Sequence, residues 1–233
     1  MTARSEEIAA GLAAVRERIE TAADKAGRAP EEIGLVVVAK FFPASDVRIL
    51  ADLGVTDVGE NRHQEAQAKA AECADLALRW HFIGRLQSNK AAAVASYADV
   101  VESVDRLKLV GGLQRGAHER SHPVDVLLQV SLDPPDREGR AGAAPEDLPA
   151  LASAVEEAGM LHLAGLMAVA PLGEDPDAAF ARLAEIRAEF VGQHPAATRL
   201  SAGMSGDLEQ AIAHGATHVR VGSAVLGSRP PVK

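Results

Sequence analysis

A single (β/α)8 barrel over residues 1–233, with one extra helix ahead of its first strand, is the fold the sequence predicts. Three observations carry it: eight short apolar runs, helical patterns between them, and roughly 20 to 30 residues per strand–helix unit, the size of a βαβ module. Ile8, Leu12, Val15 and Ile19 recur at steps of four, three and four residues, which is the period of an amphipathic helix, and Gly27 with Pro30 closes that segment. The first strand candidate, 35–39, is a continuous apolar run containing three valines, as expected of a strand buried on both faces of a parallel sheet. Ser45 is placed to cap a helix reaching Leu53. Seven more strands are predicted at 56–59, 80–84, 100–103, 124–130, 161–167, 199–201 and 218–221. Helical patterns occupy 65–73, 88–96, 106–120, 145–159, 177–191 and 208–214, and only a short helix at 223–226 follows the last strand. An open doubly wound sheet is the competing architecture, and no internal repeat separates the two. The stretch 133–144, DPPDREGRAGAA, is rich in proline, glycine and charge and predicts a mobile lid or rim loop.

Composition narrows the function classes. Of 233 residues, 47% are hydrophobic and 24% charged, which suits one globular core. The formal charge of −9, with no block of lysine or arginine, argues against nucleic acid, because a polyanion needs clustered positive charge. No apolar stretch approaches the length of a membrane span and the N-terminus lacks an apolar leader core, so a cytoplasmic protein is expected. Cys73 is the only cysteine, which excludes an intramolecular disulfide and a cysteine-cluster metal site and leaves it as an inert helix residue. His118-Glu119-Arg120-Ser121-His122 fits the HExxH zinc pattern, which needs both histidines on one continuing helix. Pro123 follows at once and disfavours helical geometry at His122, so no metal site is expected.

In a parallel barrel the working residues sit at the C-terminal ends of strands. Lys40 ends the run Leu35 to Ala39 and precedes Phe41-Phe42-Pro43, which sets its amine in apolar surroundings at the barrel mouth. Desolvation favours the neutral amine, the form that attacks an aldehyde to give a Schiff base. The alternative is a lysine that leaves the strand for solvent. Ser201 to Asp207 reads SAGMSGD and joins a short strand to a helix, and Gly222-Ser223-Ala224 follows the strand ending at Val221. Glycines let backbone approach an anion, and two such turns after strands seven and eight occupy the usual phosphate corner of a barrel. Arg220, between two valines on the last strand, must face a partner or a cavity. A ligand ring nitrogen and a carboxylate such as Glu60 or Glu102 are both open to it.

The segments LVVVAK ending at Lys40, VGENRHQEA (58–66), WHFIGRLQSNK (80–90), ESVDR (102–106), GLMAVAP (165–171), LSAGMSGDLEQAI (200–212) and VRVGSAVLG (219–227) closely resemble those of the pyridoxal phosphate homeostasis proteins. The resemblance runs in order from about residue 35 to 229. It implies a barrel like the N-terminal domain of alanine racemase, with pyridoxal 5'-phosphate (PLP) held as a Schiff base on Lys40. Phosphate contacts would fall to Ser205, Gly222 and Ser223, and the ring nitrogen to Arg220, with Asn61, Met167 and Ser201 lining the pocket. The implied role is to keep reactive PLP sequestered and available, with PLP-dependent apoenzymes as partners. Two positions depart from the family pattern. Members commonly read Ser-Lys-Thr-Lys-Pro around the lysine, where this chain has Ala39-Lys40-Phe41-Phe42-Pro43, and Ser131 replaces an asparagine that often follows the fifth strand. The second lysine is therefore missing, and two phenylalanines would make the mouth more apolar.

Three functions follow from these readings. A carrier with little or no turnover is favoured, because eight strands and their helices consume the chain and Tyr97, the only tyrosine, precedes the fourth strand. Arg220 would also keep a ring nitrogen unprotonated and weaken the cofactor as an electron sink. A racemase or lyase would need a general base such as His81 or Lys90. A barrel enzyme for another phosphate ester would bind no PLP. A complete barrel is expected to stand as a monomer.

Overall fold

Val36, Val37 and Val38 are all buried, as the unbroken apolar run predicts, because β1 (Gly34–Val38) is covered from inside by the barrel and from outside by helices. The computed structural model describes residues 2–133 and 141–228. Seven further strands follow: β2 (Asp57–Glu60), β3 (Arg79–Phe82), β4 (Val100–Val104), β5 (Val124–Gln129), β6 (Leu161–Met167), β7 (Arg199–Ser201) and β8 (His218–Val221). Each pairs in parallel with the next, and β8 returns to β1 with Leu35 opposite Val219, so the sheet closes and the open alternative is excluded. Helices cover the outside: α1 (Ala3–Lys25), α2 (Ala44–Asp52), α3 (His63–Glu72), α4 (Ala91–Ala95), α5 (Val110–Arg120), α6 (Leu148–Glu156), α7 (Pro176–Gln193), α8 (Leu208–Ala213) and α9 (Ser223–Leu226).

The extra helix has a packing reason. With only four residues, α9 cannot cover its share of the barrel, and the stripe Ile8, Leu12, Val15 and Ile19 of α1 joins Val219, Val221, Val225 and Leu226 in one apolar cluster. Gly11 permits the close approach: a Cβ there would lie 2.5 Å from the Val225 carbonyl oxygen.

Element ends differ from expectation where local chemistry intervenes. Pro43, not Ser45, takes the N-cap position of α2, without a side-chain cap. The starts of the helices predicted at 88–96, 106–120 and 145–159 are 3-10 turns (Ser88–Lys90, Leu107–Leu109 and Pro145–Asp147). The predicted 80–84 strand stops at Phe82, because at Gly84 the chain crosses the backbone of Asn61 so closely that a Cβ would sit 2.1 Å from its carbonyl oxygen. Ser121 adopts a left-handed conformation (φ 58°) directly after α5, which takes His122 off the helix that carries His118 and removes the HExxH geometry. Of the predicted rim loop at 133–144, residues 134–140 lie outside the described residues; beside them Ser131 donates its N–H to the Ala143 carbonyl. Among the described residues no helix is long and apolar enough to cross a membrane.

Side chains alternate in and out along each strand. Val101, Val126, Leu128 and Leu166 pack outward against helices, while Val100, Leu127 and Met167 form a small apolar cluster on the opposite, inner side. Much of the remaining interior is polar and charged: His81, Glu102, Ser201 and Arg220 are all nearly inaccessible to solvent. At the β5–β6 pair the register shifts between Val126 and Leu127, so that Ala164 is an extra residue and Gly165 faces Leu127. Such a bulge re-aims the residues beyond it, here Met167 at the strand's C-terminal end.

Candidate functional site

Lys40 lies two residues past β1 in a turn clamped on both sides. The Ala39 N–H donates to the Gly59 carbonyl at 2.9 Å, and the Phe42 N–H turns back onto the Ala39 carbonyl at 3.0 Å. Phe41 between them has φ 71°, a left-handed conformation that is costly for a bulky residue. What holds it is a buried charge group. Lys69 of α3 sends its Nζ to the Ala39 carbonyl (2.7 Å), Glu60 Oε1 (2.6 Å) and Glu65 Oε1 (2.7 Å), and the same Glu65 oxygen accepts the Phe41 N–H at 2.6 Å. The residues before and after Lys40 are thus tied to one lysine–glutamate pair. Burial pushes the Glu60 carboxyl up to about 7, against the opposing charge of Lys69 and a smaller contribution from Lys40.

The expected residues then divide. Lys40, Ser205, Arg220, Gly222 and Ser223 line one cavity of about 270 Å³, walled on the apolar side by Val38, Phe42 and Ile83. Of the two phenylalanines, Phe42 lines this cavity, whereas the Phe41 ring lies under the Arg62 guanidinium, 4.8 Å from its centroid. Gly222 lies close against β1: a Cβ there would sit 3.1 Å from the Val38 carbonyl oxygen, a tight contact that a side chain could take only if β1 gave by a few tenths of an ångström. Gly203 turns the other loop with φ +88°, and Asp207 Oδ1 accepts the Met204 N–H at 2.6 Å. Arg18 of α1 reaches across to donate to the Ser205 carbonyl at 3.0 Å while paired with Glu209. Asn61 lines a separate, larger cavity of about 820 Å³. Met167 and Ser201 are buried in the barrel interior and are not among the residues lining the Lys40 cavity.

Ser201 instead supports Arg220 from below. Arg220 donates to Ser201 Oγ at 2.7 Å and to the Ala168 carbonyl at 2.9 Å, and Ser201 Oγ donates to Glu102 Oε2 at 2.6 Å. Of the two carboxylates left open for Arg220, the partner is Glu102, at 3.8 Å. The chain continues inward: the ring nitrogens of His81 contact Glu102 Oε1 at 2.7 Å and Asp57 Oδ1 at 2.8 Å. Burial alone would raise the carboxyl of Glu102, but the hydrogen bond and charge of His81, then Arg220 and Ser201, outweigh it and hold it near about 2. Burial likewise opposes charge on His81, yet the flanking carboxylates raise its pKa above the ordinary histidine value. The interior is therefore a compensated line of charge ending at the arginine that faces the cavity. Burial pushes Tyr97 above the usual phenol range, and Tyr97 stacks on His63, outside the residues lining the Lys40 cavity.

Sequence reasoning missed the Glu60–Glu65–Lys69 frame and the His81–Glu102 link. The signals were present: Glu65 and Lys69 are spaced i, i+4 on one helix face, and His81 and Glu102 are polar residues inside apolar strands.

The family described as alanine racemase, N-terminal domain, matches residues 11–230. The pyridoxal phosphate homeostasis protein of Mycobacterium leprae is 42% identical, over 96% of this chain and 93% of its own length. That of Pseudomonas aeruginosa is 45% identical over 95% and 96%. PipY of Synechococcus elongatus, whose structure has PLP bound, superposes with a TM-score of 0.81 at 38% identity, covering 94% of this chain and all of that one. An alanine racemase of Clostridium difficile superposes with a TM-score of 0.71 at 13% identity over 98% of this chain and 58% of its own, a likeness of fold. With the lysine, the two glycine-serine turns and the arginine around one cavity, and with relatives of this identity along nearly its full length, the chain belongs to the pyridoxal phosphate homeostasis proteins, built on the alanine racemase N-terminal barrel.

Proposed function

We propose that this chain binds PLP in the Lys40 cavity as a Schiff base and holds it for use elsewhere in the cell, with little or no turnover. The observation that carries the reading is the convergence of Lys40, Ser205, Arg220, Gly222 and Ser223 on one cavity of about 270 Å³, near the lower size limit of small-molecule sites. When bound, PLP supplies an electrophilic aldehyde and a conjugated ring that accepts electrons.

The residues present fit such a group. Lys40 brings an amine to a wall of Val38, Phe42 and Ile83, apolar side chains that would shield a bond formed at its Nζ from water. Ser205 and Ser223 supply hydroxyl donors, and Gly206, where a Cβ would have open space around it, and Gly222 keep side chains clear of a phosphate. Arg220, fixed by Ser201, Ala168 and Glu102, presents donors and no acceptor. Towards a ring nitrogen Arg220 could only donate, which would disfavour protonation of that nitrogen and weaken the electron sink that racemisation or aldol cleavage requires. Tyr97 is the only tyrosine and does not line the cavity, so it offers no phenol base there. Ser201 and Met167 act behind the site, by supporting Arg220 and the inner wall, and Asn61 belongs to the neighbouring larger cavity. In this reading the protein is a cytoplasmic monomer whose partners are PLP and PLP-dependent apoenzymes.

Borohydride reduction of protein loaded with PLP, followed by peptide mapping, tests the attachment. The modified peptide is expected to carry Lys40, and the visible absorption band of the loaded protein to disappear in Lys40→Ala. Reduction at another lysine, or a band unchanged in Lys40→Ala, would reject the assignment. Turnover of any amino acid at rates typical of PLP enzymes, abolished in Lys40→Ala, would replace storage with catalysis.

A further inference from the structure

The segment WHFIGRLQSNK has no part in the Lys40 cavity beyond Ile83. Its second half, with the loop after β2, lines the larger cavity of about 820 Å³, and the two cavities share no lining residue. Phe82 borders one and Ile83 the other. In a chain of net charge −9, this cavity is lined by Arg62, Arg85, Lys90 and Arg106, and none of its lining residues is acidic. Arg106 is paired with Asp105 and with the Leu86 carbonyl. Arg62, Arg85 and Lys90 have no acidic partner among the described residues. The charge of Lys90 also adds to burial in lowering the pKa of His63 on the same wall.

Like charges gathered in a concave site raise its potential and concentrate counter-ions. Three cations without acidic partners match a ligand carrying about three negative charges, the number borne near neutral pH by two phosphate groups. Arginine forks and a lysine point charge suit tetrahedral phosphate oxygens, and Ser88, Gln87 and Asn89 add neutral donors beside them. From these observations we propose that this cavity is a second ligand site, for a phosphorylated small molecule bearing at least two phosphate groups, separate from the site at Lys40.

The test is isothermal titration of the full, PLP-loaded chain with inorganic pyrophosphate at fixed ionic strength, beside citrate and a hexaglutamate peptide. Expected is saturable binding of one pyrophosphate per chain, with citrate and the peptide at least tenfold weaker, and a loss of at least tenfold in Arg85→Gln/Lys90→Gln. Arg85→Gln alone, a change on an exposed side chain, weakens binding in the same direction if the pair fails to fold. No saturable binding up to about 1 mM, affinity unchanged in the variants, or citrate bound equally well overturns the proposal. Tighter binding of the peptide also overturns it, and identifies a dock for acidic protein segments instead. PLP absorbance followed during the titration keeps the two sites distinguishable, since Arg85→Gln leaves the band at Lys40 in place.

Discussion

Replacing Lys69 by methionine probes the frame around Lys40. Lys69 is 6% exposed and its Nζ serves three acceptors at 2.6 to 2.7 Å: Glu60, Glu65 and the Ala39 carbonyl. Methionine keeps much of the volume and none of the donors, so two carboxylates and a carbonyl lose their shared partner. Removing one member of a buried ion pair costs about 3–5 kcal/mol. Two features place this case at the lower end. Burial already pushes the Glu60 carboxyl up to about 7, so it gives up its charge readily when Lys69 is removed, and Glu65 is partly exposed. About 3 kcal/mol, in a chain of this size, lowers the unfolding midpoint by about 6–12 °C. Urea denaturation at pH 7 measures the cost, and spectroscopic PLP titration measures the consequence at the site. The Phe41 turn loses its support with the Glu65 position, so PLP affinity is expected to fall at least tenfold in Lys69→Met. Adding Glu60→Gln is expected to recover part of the stability, because it removes one stranded charge. A loss below about 1 kcal/mol, with PLP affinity unchanged, would refute the clamp.

Three further outcomes follow from the geometry. Asp57 and Glu102 both sit at about 2 in the folded chain, below their ordinary values of 3.8 and 4.5. Their stabilisation is therefore present above those values and is lost as pH falls toward 2, and Glu102→Gln is expected to flatten that acid limb in chemical denaturation. Glu60 has the opposite sign: with a folded pKa of about 7 above an ordinary 4.5, its contribution is present below 4.5 and is lost as pH rises through 7. Glu60→Gln should accordingly improve stability at pH 8 relative to pH 5.5 when unfolding is compared with the parent. Gly165→Ala places a Cβ 1.9 Å from the Arg199 carbonyl oxygen, where φ is +152° and both atoms belong to paired strands. Thermal unfolding should show a loss of about 3 kcal/mol or more, and a near-neutral result would mean the bulge can relax.

How much of this was legible in sequence depends on which physical signal each residue carries. All eight strands stand within two residues of the predicted ends: β1, β5 and β6 are largely apolar runs that leave few alternatives, while the short mixed segments β2 (DVGE), β7 (RLS) and β8 (HVRV) fall where the spacing of strand–helix units requires a strand. Helix starts were harder: 3-10 turns at Ser88, Leu107 and Pro145 have the composition of a helical first turn, and tertiary packing decides between them. Lys40 and the two glycine-serine turns were readable because backbone geometry at strand ends places them together. The partner of Arg220 was not readable, since Glu60 and Glu102 are both carboxylates at or near the C-terminal end of a strand; in the closed barrel Glu60 turns outward to Lys69 of α3, and Glu102 reaches Arg220 together with Ser201. Ser201 and Met167 illustrate the same limit: they are close to the site in sequence pattern, and strand direction sends them into the interior.

Arg18 makes one bond whose reach exceeds its strength. By holding the Ser205 carbonyl it splints a loop 187 positions further along the chain, so the turn around Ser205 reaches its final shape only once the first helix has docked against the last quarter of the barrel. During refolding, the appearance of cofactor colour should consequently lag behind bulk secondary structure and report the moment at which the two ends of the polypeptide meet.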